Sequence, residues 1–307
     1  MKCTQRSRGF VLLSVLIFLS IASSAALVMS AHARGAIAAI HNRTAGERLE
    51  WQGRGCLAEA RSAMDVALNQ RSEGEARDHV WRNLDALLER EASRFNAHCV
   101  LLVEPFGTRA NVNVLDSLEL ERLFAEELGR VSSEATASVL DWRDGDTVAR
   151  AAGAEHAWYV RHERYGPRDG PLATDDEILM VRALAAYPQA AALLTVETDP
   201  ILLSHAPRAV VAAVAGDDPL VLALLLSSRT TAGTKSDLRD VLVSPDTAIA
   251  RRAASQYNAL SSRLTLSPVA WRLTARAKDP AGLLQVTVEQ RVQRTLSSAS
   301  VVWERIR

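Results

Sequence analysis

The sequence predicts an α+β protein. A long N-terminal helix crosses a membrane and continues as a stem, an antiparallel sheet follows, and a large helical domain is inserted between early and late strands. Three observations predict this. The run from Phe10 to Ser30 carries no formal charge. Residues 256–307 alternate apolar and polar side chains between turn signals. The stretch between, from about 114 to 255, repeatedly shows helix starts and stops. The boundaries read as 1–9 for a leader, 10–33 for the membrane helix, and 34–113 for the stem and first part of the head. Residues 114–255 form the inserted helical domain, and 256–307 the final strands.

An uncharged run of this length spans about 30 Å as a helix, the thickness of a bilayer's hydrocarbon core. The apolar stretch of a cleaved secretory signal is shorter, about 7–15 residues. Lys2, Arg6 and Arg8 precede the run with no acid among them. By the positive-inside rule they stay in the cytoplasm, and the chain beyond Arg34 is exported. Alanine, leucine and isoleucine then recur without proline to about residue 70, which extends the helix, with Gly46, Gly53 and Gly55 as weak points. Residues 71–78 read as a solvated linker, and 79–95 as a second helix with Leu84, Leu87 and Leu88 on one side.

"CVLLVEPFG" from Cys99 reads as a strand closed by Pro105 and Gly107. Asp116 with Glu119 three residues on is a capping box, and Gly129 a helix stop. Thr174 with Glu177 is a second box. Pro207 and Gly216 bracket a third helix. "SPVAWRLTARAK", "LLQVTVEQRVQR" and "SASVVWERIR" make an antiparallel meander.

Hydrophobic residues are 48% of the chain and aromatics 5%, so the core is built from aliphatic side chains and alanine. With 36 basic and 36 acidic residues there is no overall electrostatic case for a nucleic-acid partner. The chain has no H-E-x-x-H, G-x-S-x-G, Walker A or G-x-G-x-x-G motif, and its histidines are scattered; this argues against an enzyme. Asp141, Asp144, Asp146 and Glu155 crowd carboxylates around a turn. Two readings fit them: a solvated turn whose aspartates cap backbone N–H groups, or a loop that holds a hard cation such as calcium. The EF-hand spacing is not met. Cys56 and Cys99 both fall on the exported side, where an even pair closes as a disulfide if the Cα atoms approach; two separate thiols would satisfy the same sequence.

A short basic leader ending in Gly9 and followed directly by Phe10 and an apolar helix resembles the class III leader of type IV pilins and type II secretion pseudopilins. The resemblance implies cutting between Gly9 and Phe10 by a prepilin peptidase at the inner membrane, with the helix retained. Most members have glutamate at the fifth mature position; here it is Ser14. Its lack resembles the minor pseudopilin K of the general secretion pathway. The stretch 140–166 strengthens the likeness: Asp141-Trp142, Asp144, Asp146, then Gly153-Ala154-Glu155 and Trp158-Tyr159 look like that subgroup's pattern. So does Asn111-Val-Asn113 before a helix, with a diverged second copy at Ile201–Pro207.

The implied protein has a pseudopilin fold and is a structural, non-catalytic tip subunit. It binds calcium through Asp141, Asp144, Asp146 and Glu155. Its expected partners are the I- and J-type minor pseudopilins, the prepilin peptidase and the inner membrane, with the secretin or secreted cargo met at the tip. A minor pilin of a type IV pilus and a signal-anchored periplasmic interaction module are the alternatives.

Overall fold

A computed structural model of the chain describes residues 8–70, 74–91, 99–295 and 298–307. Most of the expected leader, including Lys2, Cys3 and Arg6, lies outside the described residues. Helix α1 (Arg8–Asn69) runs unbroken through Gly46, Gly53 and Gly55. Its first half stands clear of the rest of the molecule, with Phe18, Leu27 and Met29 each 70% exposed or more. This helix is long and apolar enough to cross a membrane, and the rest of the chain folds apart from its first half.

The second half of α1 buries one stripe: Leu49, Cys56, Leu57, Ala60, Met64 and Leu68. Their spacing of three and four residues keeps them on one face of a 3.6-residue helix. Gly53 sits on that stripe. A Cβ there would lie 2.8 Å from Val288 Cγ2, so its bare backbone lets the helix approach the sheet. The glycine that weakens the helix as an isolated segment is thus a point of close packing on the sheet.

Helices α2 (Gly74–Arg82) and α3 (Leu84–Glu91) follow, where a linker and one helix were expected. Trp81, Leu84 and Leu88 are each nearly or fully buried against α1, and this burial draws the chain into a helix from Gly74. Strand β1 (Cys99–Pro105) comes next, then the two-residue β2 (Ala110–Asn111), β3 (Leu194–Thr195), β4 (Ile201–Leu202) and β5 (Leu264–Thr265). Strands β6 (Ala270–Lys278), β7 (Gln285–Arg294) and β8 (Ala299–Ile306) complete the set.

The main sheet is antiparallel in the order β1-β6-β7-β8. The three late alternating runs are therefore strands, and the early one joins them across the helical segment between. Trp271, Leu273, Ala275, Val288 and Val292 face α1 and form one core with its stripe. Trp271 and Trp81 meet edge to face at 6.5 Å between centroids. The Trp271 indole N–H donates to the Trp81 carbonyl at 3.0 Å, and the Trp81 indole to the Pro268 carbonyl at 2.6 Å.

The segment between β1 and β6 builds a second core on Leu123, Phe124, Val139, Trp142, Tyr159, Leu184, Val210 and Val211, among others. Its helices include α4 (Ser117–Leu128), α5 (Ser132–Arg143), α6 (His156–Arg161) and α7 (Asp175–Ile178). The Asp116 box forms in full: Glu119 N–H donates to Asp116 Oδ1 and Asp116 N–H to Glu119 Oε2. The Thr174 box does not. Thr174 Oγ1 accepts from Glu177 N–H, but the Glu177 carboxylate accepts from the Ala173 N–H and the Trp142 indole, and α7 ends after one turn. The helix from Arg208 to Ala215 begins after Pro207 and stops at Gly216, whose φ is +78°.

Two short parallel pairings, β2 with β3 and β4 with β5, close this helical block. The block is fastened to the sheet by Arg291, which donates to both Asp199 oxygens at 2.8 and 2.7 Å and to Glu197 at 3.2 Å.

Candidate functional site

The acidic turn follows α5. That helix ends at Arg143, whose guanidinium donates to the Val112 and Leu115 carbonyls and fixes the exit direction. Asp144, Asp146 and Glu155 then converge, with one carboxylate oxygen from each within 4.8 Å of the others. Eight residues with one turn, at Ala151–Ala152, separate Asp146 from Glu155, and the chain returns to bring them together.

The three carboxylates are unequally satisfied. Asp144 gives one oxygen to the Arg150 guanidinium, while its Oδ1 is buried with no hydrogen-bond partner. Asp146 accepts the Val148 N–H at 2.8 Å and is otherwise exposed. Glu155 is 4% exposed, and neither of its carboxylate oxygens has a partner. Burial, together with the charges of Asp141, Asp144, Asp169 and Asp146, pushes its carboxyl above the ordinary range. Three buried carboxylate oxygens in this cluster thus have no hydrogen-bond partner.

Asp141, the fourth expected ligand, lies outside this group. Its fully buried carboxylate accepts the Arg150 guanidinium at 2.7 Å and the Arg150 backbone N–H at 3.2 and 3.3 Å. It anchors the loop through the same Arg150 nitrogen that Asp144 accepts from. Gly153 explains the fit: a Cβ there would come within 2.0 Å of Asp141 Oδ2. Arg150, which bridges Asp141 and Asp144, is the functional residue the sequence did not disclose; its role rests on a contact nine residues away that has no local pattern.

The aromatic pair that follows supports the loop from below. Tyr159 is fully buried, edge to face with Trp142 at 5.2 Å and Trp158 at 5.0 Å. Its hydroxyl accepts the Arg182 N–H at 2.9 Å, and burial raises its pKa to about 12. Asn113 ties the same region from the other side. Its amide donates to the Leu172 carbonyl and its carbonyl accepts the Leu172 N–H, both at 2.9 Å. Asn111 accepts the Asn113 N–H at 2.8 Å and donates to the Val196 carbonyl at 3.4 Å, so both asparagines bind turns through backbone groups. In the diverged second copy, β4 and β5 make the corresponding parallel pairing without an asparagine.

The remaining expected residues are far from this loop. Gly9 and Phe10 lie in the first turn of α1. Cys56 of α1 and Cys99 of β1 are joined as a disulfide, with Cα atoms 6.6 Å apart, which ties the edge strand to the stem.

No protein-family model matches the chain, and no curated protein matches it in sequence. A solved structure matches it in shape: a chain of the GspK–GspI–GspJ complex from the type 2 secretion system of enterotoxigenic Escherichia coli. The two are 13% identical, with a TM-score of 0.54 over 87% of this chain and 98% of the other. The protein has a GspK-like pseudopilin fold.

Proposed function

We propose that the protein is a minor pseudopilin at the tip of a type II secretion pseudopilus. There it initiates or caps assembly with I- and J-type minor pseudopilins for export across an outer membrane. The observation that carries this is the combination in one chain of an exposed apolar half-helix, a sheet packed on its continuation, and a bulky helical block between β1 and β6. In this reading the leader is cytoplasmic, prepilin peptidase cuts after Gly9, the helix from Phe10 stays in the inner membrane, and the head is periplasmic. The chain acts by packing and not by catalysis. A helical block of this size widens the head beyond what a stacked filament subunit accommodates, and Ser14 provides no acid for a neighbour's amino terminus. Both features suit a terminal position, where the head can meet the secretin or cargo. Co-isolation from membranes tests this: I- and J-type partners should come with the protein, and deletion of residues 114–255 should retain the anchor while abolishing tip function. Normal secretion and pseudopilus initiation in a strain lacking the gene would overturn it.

We further propose that Asp144, Asp146 and Glu155 hold calcium, with Asp141 and Arg150 positioning the loop. Hard oxygen donors in an irregular loop suit calcium's flexible coordination, and the orphaned oxygens of Glu155 and Asp144 are the groups it would satisfy. Calcium at about a hundred times its Kd should stabilise the head by about 2.7 kcal/mol.

The pH dependence of the ion-free protein reports on the Glu155 carboxyl. Because the folded-state pKa of Glu155 is raised, the ion-free protein carries a contribution that is complete below the ordinary carboxylate pKa. That contribution is lost as pH rises through the raised value. Thermal melts in chelator should therefore show the ion-free protein gaining stability on mild acidification. Glu155→Gln should remove both that gain and the calcium effect. Equal melting with calcium and with chelator would sink the assignment.

A further inference from the structure

The face of the sheet turned away from α1 meets the helical block in an open cleft of about 380 Å³. Four arginines line it: Arg109, Arg272, Arg305 and Arg307. Two of them are already matched. Arg109 is paired with Asp175 at 2.8 Å, and Arg307 lies 3.9 Å from Glu289. Asp175 is further satisfied by the Thr195 hydroxyl and the Val196 N–H, so it has little left to offer.

The other two make no ion pair within 4.0 Å among the described residues, although Glu289, Asp175 and Glu104 act on Arg272 from farther away. Arg272 of β6 lies over the Phe106 ring at 4.9 Å, and its Nε is buried without a hydrogen-bond partner. Arg305 of β8 rests on the Trp303 ring at 4.3 Å and is otherwise exposed. Aromatic faces hold both guanidiniums and leave donor groups unused. An unpaired, partly desolvated guanidinium is costly, and a carboxylate is its natural complement. Asp176, at the rim, is the one further acid, and it is exposed.

The opposite wall is apolar. Ile178, Pro188 and Ala191 line it, and Leu179 is 51% exposed there. The cleft is also many times larger than the roughly 30 Å³ share of a single water, so it exceeds what a small inorganic anion fills. It lies beside β8, the terminal strand of the sheet, away from the stem-helix face, and so is open to an approaching chain.

We propose that this cleft takes an acidic segment of a partner chain, with a carboxylate on Arg272 and Arg305 and an adjoining apolar side chain against Leu179. The proposal stands apart from the assembly reading, because it concerns a surface of the folded head and not the fate of the leader or the filament. Full-length protein in detergent would be titrated against a short labelled peptide of alternating leucine and glutamate, followed by fluorescence anisotropy. A leucine–glutamine peptide and inorganic phosphate serve as comparisons. The acidic peptide should bind, its glutamine counterpart should not, and binding should weaken with salt.

Arg272→Gln and Arg305→Gln should each weaken it by about tenfold or more. Arg276→Gln, on β6 but not lining the cleft, should leave it unchanged. Arg305 is on the surface, so its replacement tests the site without disturbing the core even if Arg272→Gln folds poorly. Absence of acidic-peptide binding, equal binding of the two peptides, or unchanged affinity in Arg305→Gln would overturn the proposal. Displacement of the peptide by phosphate at similar concentration would do so as well, by showing a small-anion site only.

Discussion

Replacing Cys56 and Cys99 with serine is expected to destabilise the head by about 4 kcal/mol, the chain-entropy value for a loop of this size. The bridge spans a sequence separation of 43 residues and closes over α2 and α3. It also ties β1, one edge of the sheet, to α1. The strand needs that tie: Val100 is 56% exposed, and β1 pairs only with β6. Denaturant unfolding of the detergent-solubilised protein, followed by tryptophan fluorescence, measures the loss. The same shift should appear when the unaltered protein is reduced, and the double variant should be indifferent to reductant. If reductant and substitution both leave the midpoint in place, the bridge contributes nothing to the fold.

Trp271→Ala should cost about 3–5 kcal/mol, the usual range for truncating a fully buried tryptophan. The residue does three things at once. It fills the core between β6 and α1, meets Trp81 edge to face, and donates its indole N–H to the Trp81 carbonyl. It also presents an edge to His205 of the helical block at 6.5 Å between centroids. Trp271→Phe separates these contributions. It keeps most of the volume but leaves the Trp81 carbonyl unpaired, which should cost about 1–3 kcal/mol. Near-ultraviolet circular dichroism and melting of the two variants give the comparison. Alanine and phenylalanine variants of equal stability would mean that packing at this site carries no weight.

Much of this architecture was legible because its signals are local. The late strands alternate with period two, and their registers keep Trp271, Leu273 and Ala275 on one face. The Asp116 box and the Gly216 stop depend only on neighbours a few residues away, and both formed as expected. Non-local contacts were not legible. The helix at Gly74 is decided by burial of Trp81 beneath a sheet formed nearly two hundred residues later. Gly53 reads as a defect in a helix, yet a Cβ there would meet Val288 at 2.8 Å, so the bare backbone is what allows the contact. Thr174 fails to complete a box because Glu177 is recruited by Trp142.

The same division runs through the acidic loop. That acids crowd between 141 and 155 is plain from the sequence. Which of them meet is not, because Arg150 engages Asp141 through its guanidinium and its backbone N–H, while Asp144, Asp146 and Glu155 converge. The pairing of the two-residue strands β2 and β3 has no sequence pattern to betray it, since it joins segments more than eighty residues apart through backbone groups alone.

The central claim is that the apolar helix from Phe10 is kept after trimming at its cytoplasmic edge and serves as the membrane stalk of the head. The intact mass of the protein isolated from membranes, with and without prepilin peptidase, tests it most directly. A chain beginning at Phe10 is expected when the peptidase is present, and an untrimmed leader when it is absent. A mature chain beginning near residue 34, or one that retains Met1 whether or not the peptidase is there, would contradict it.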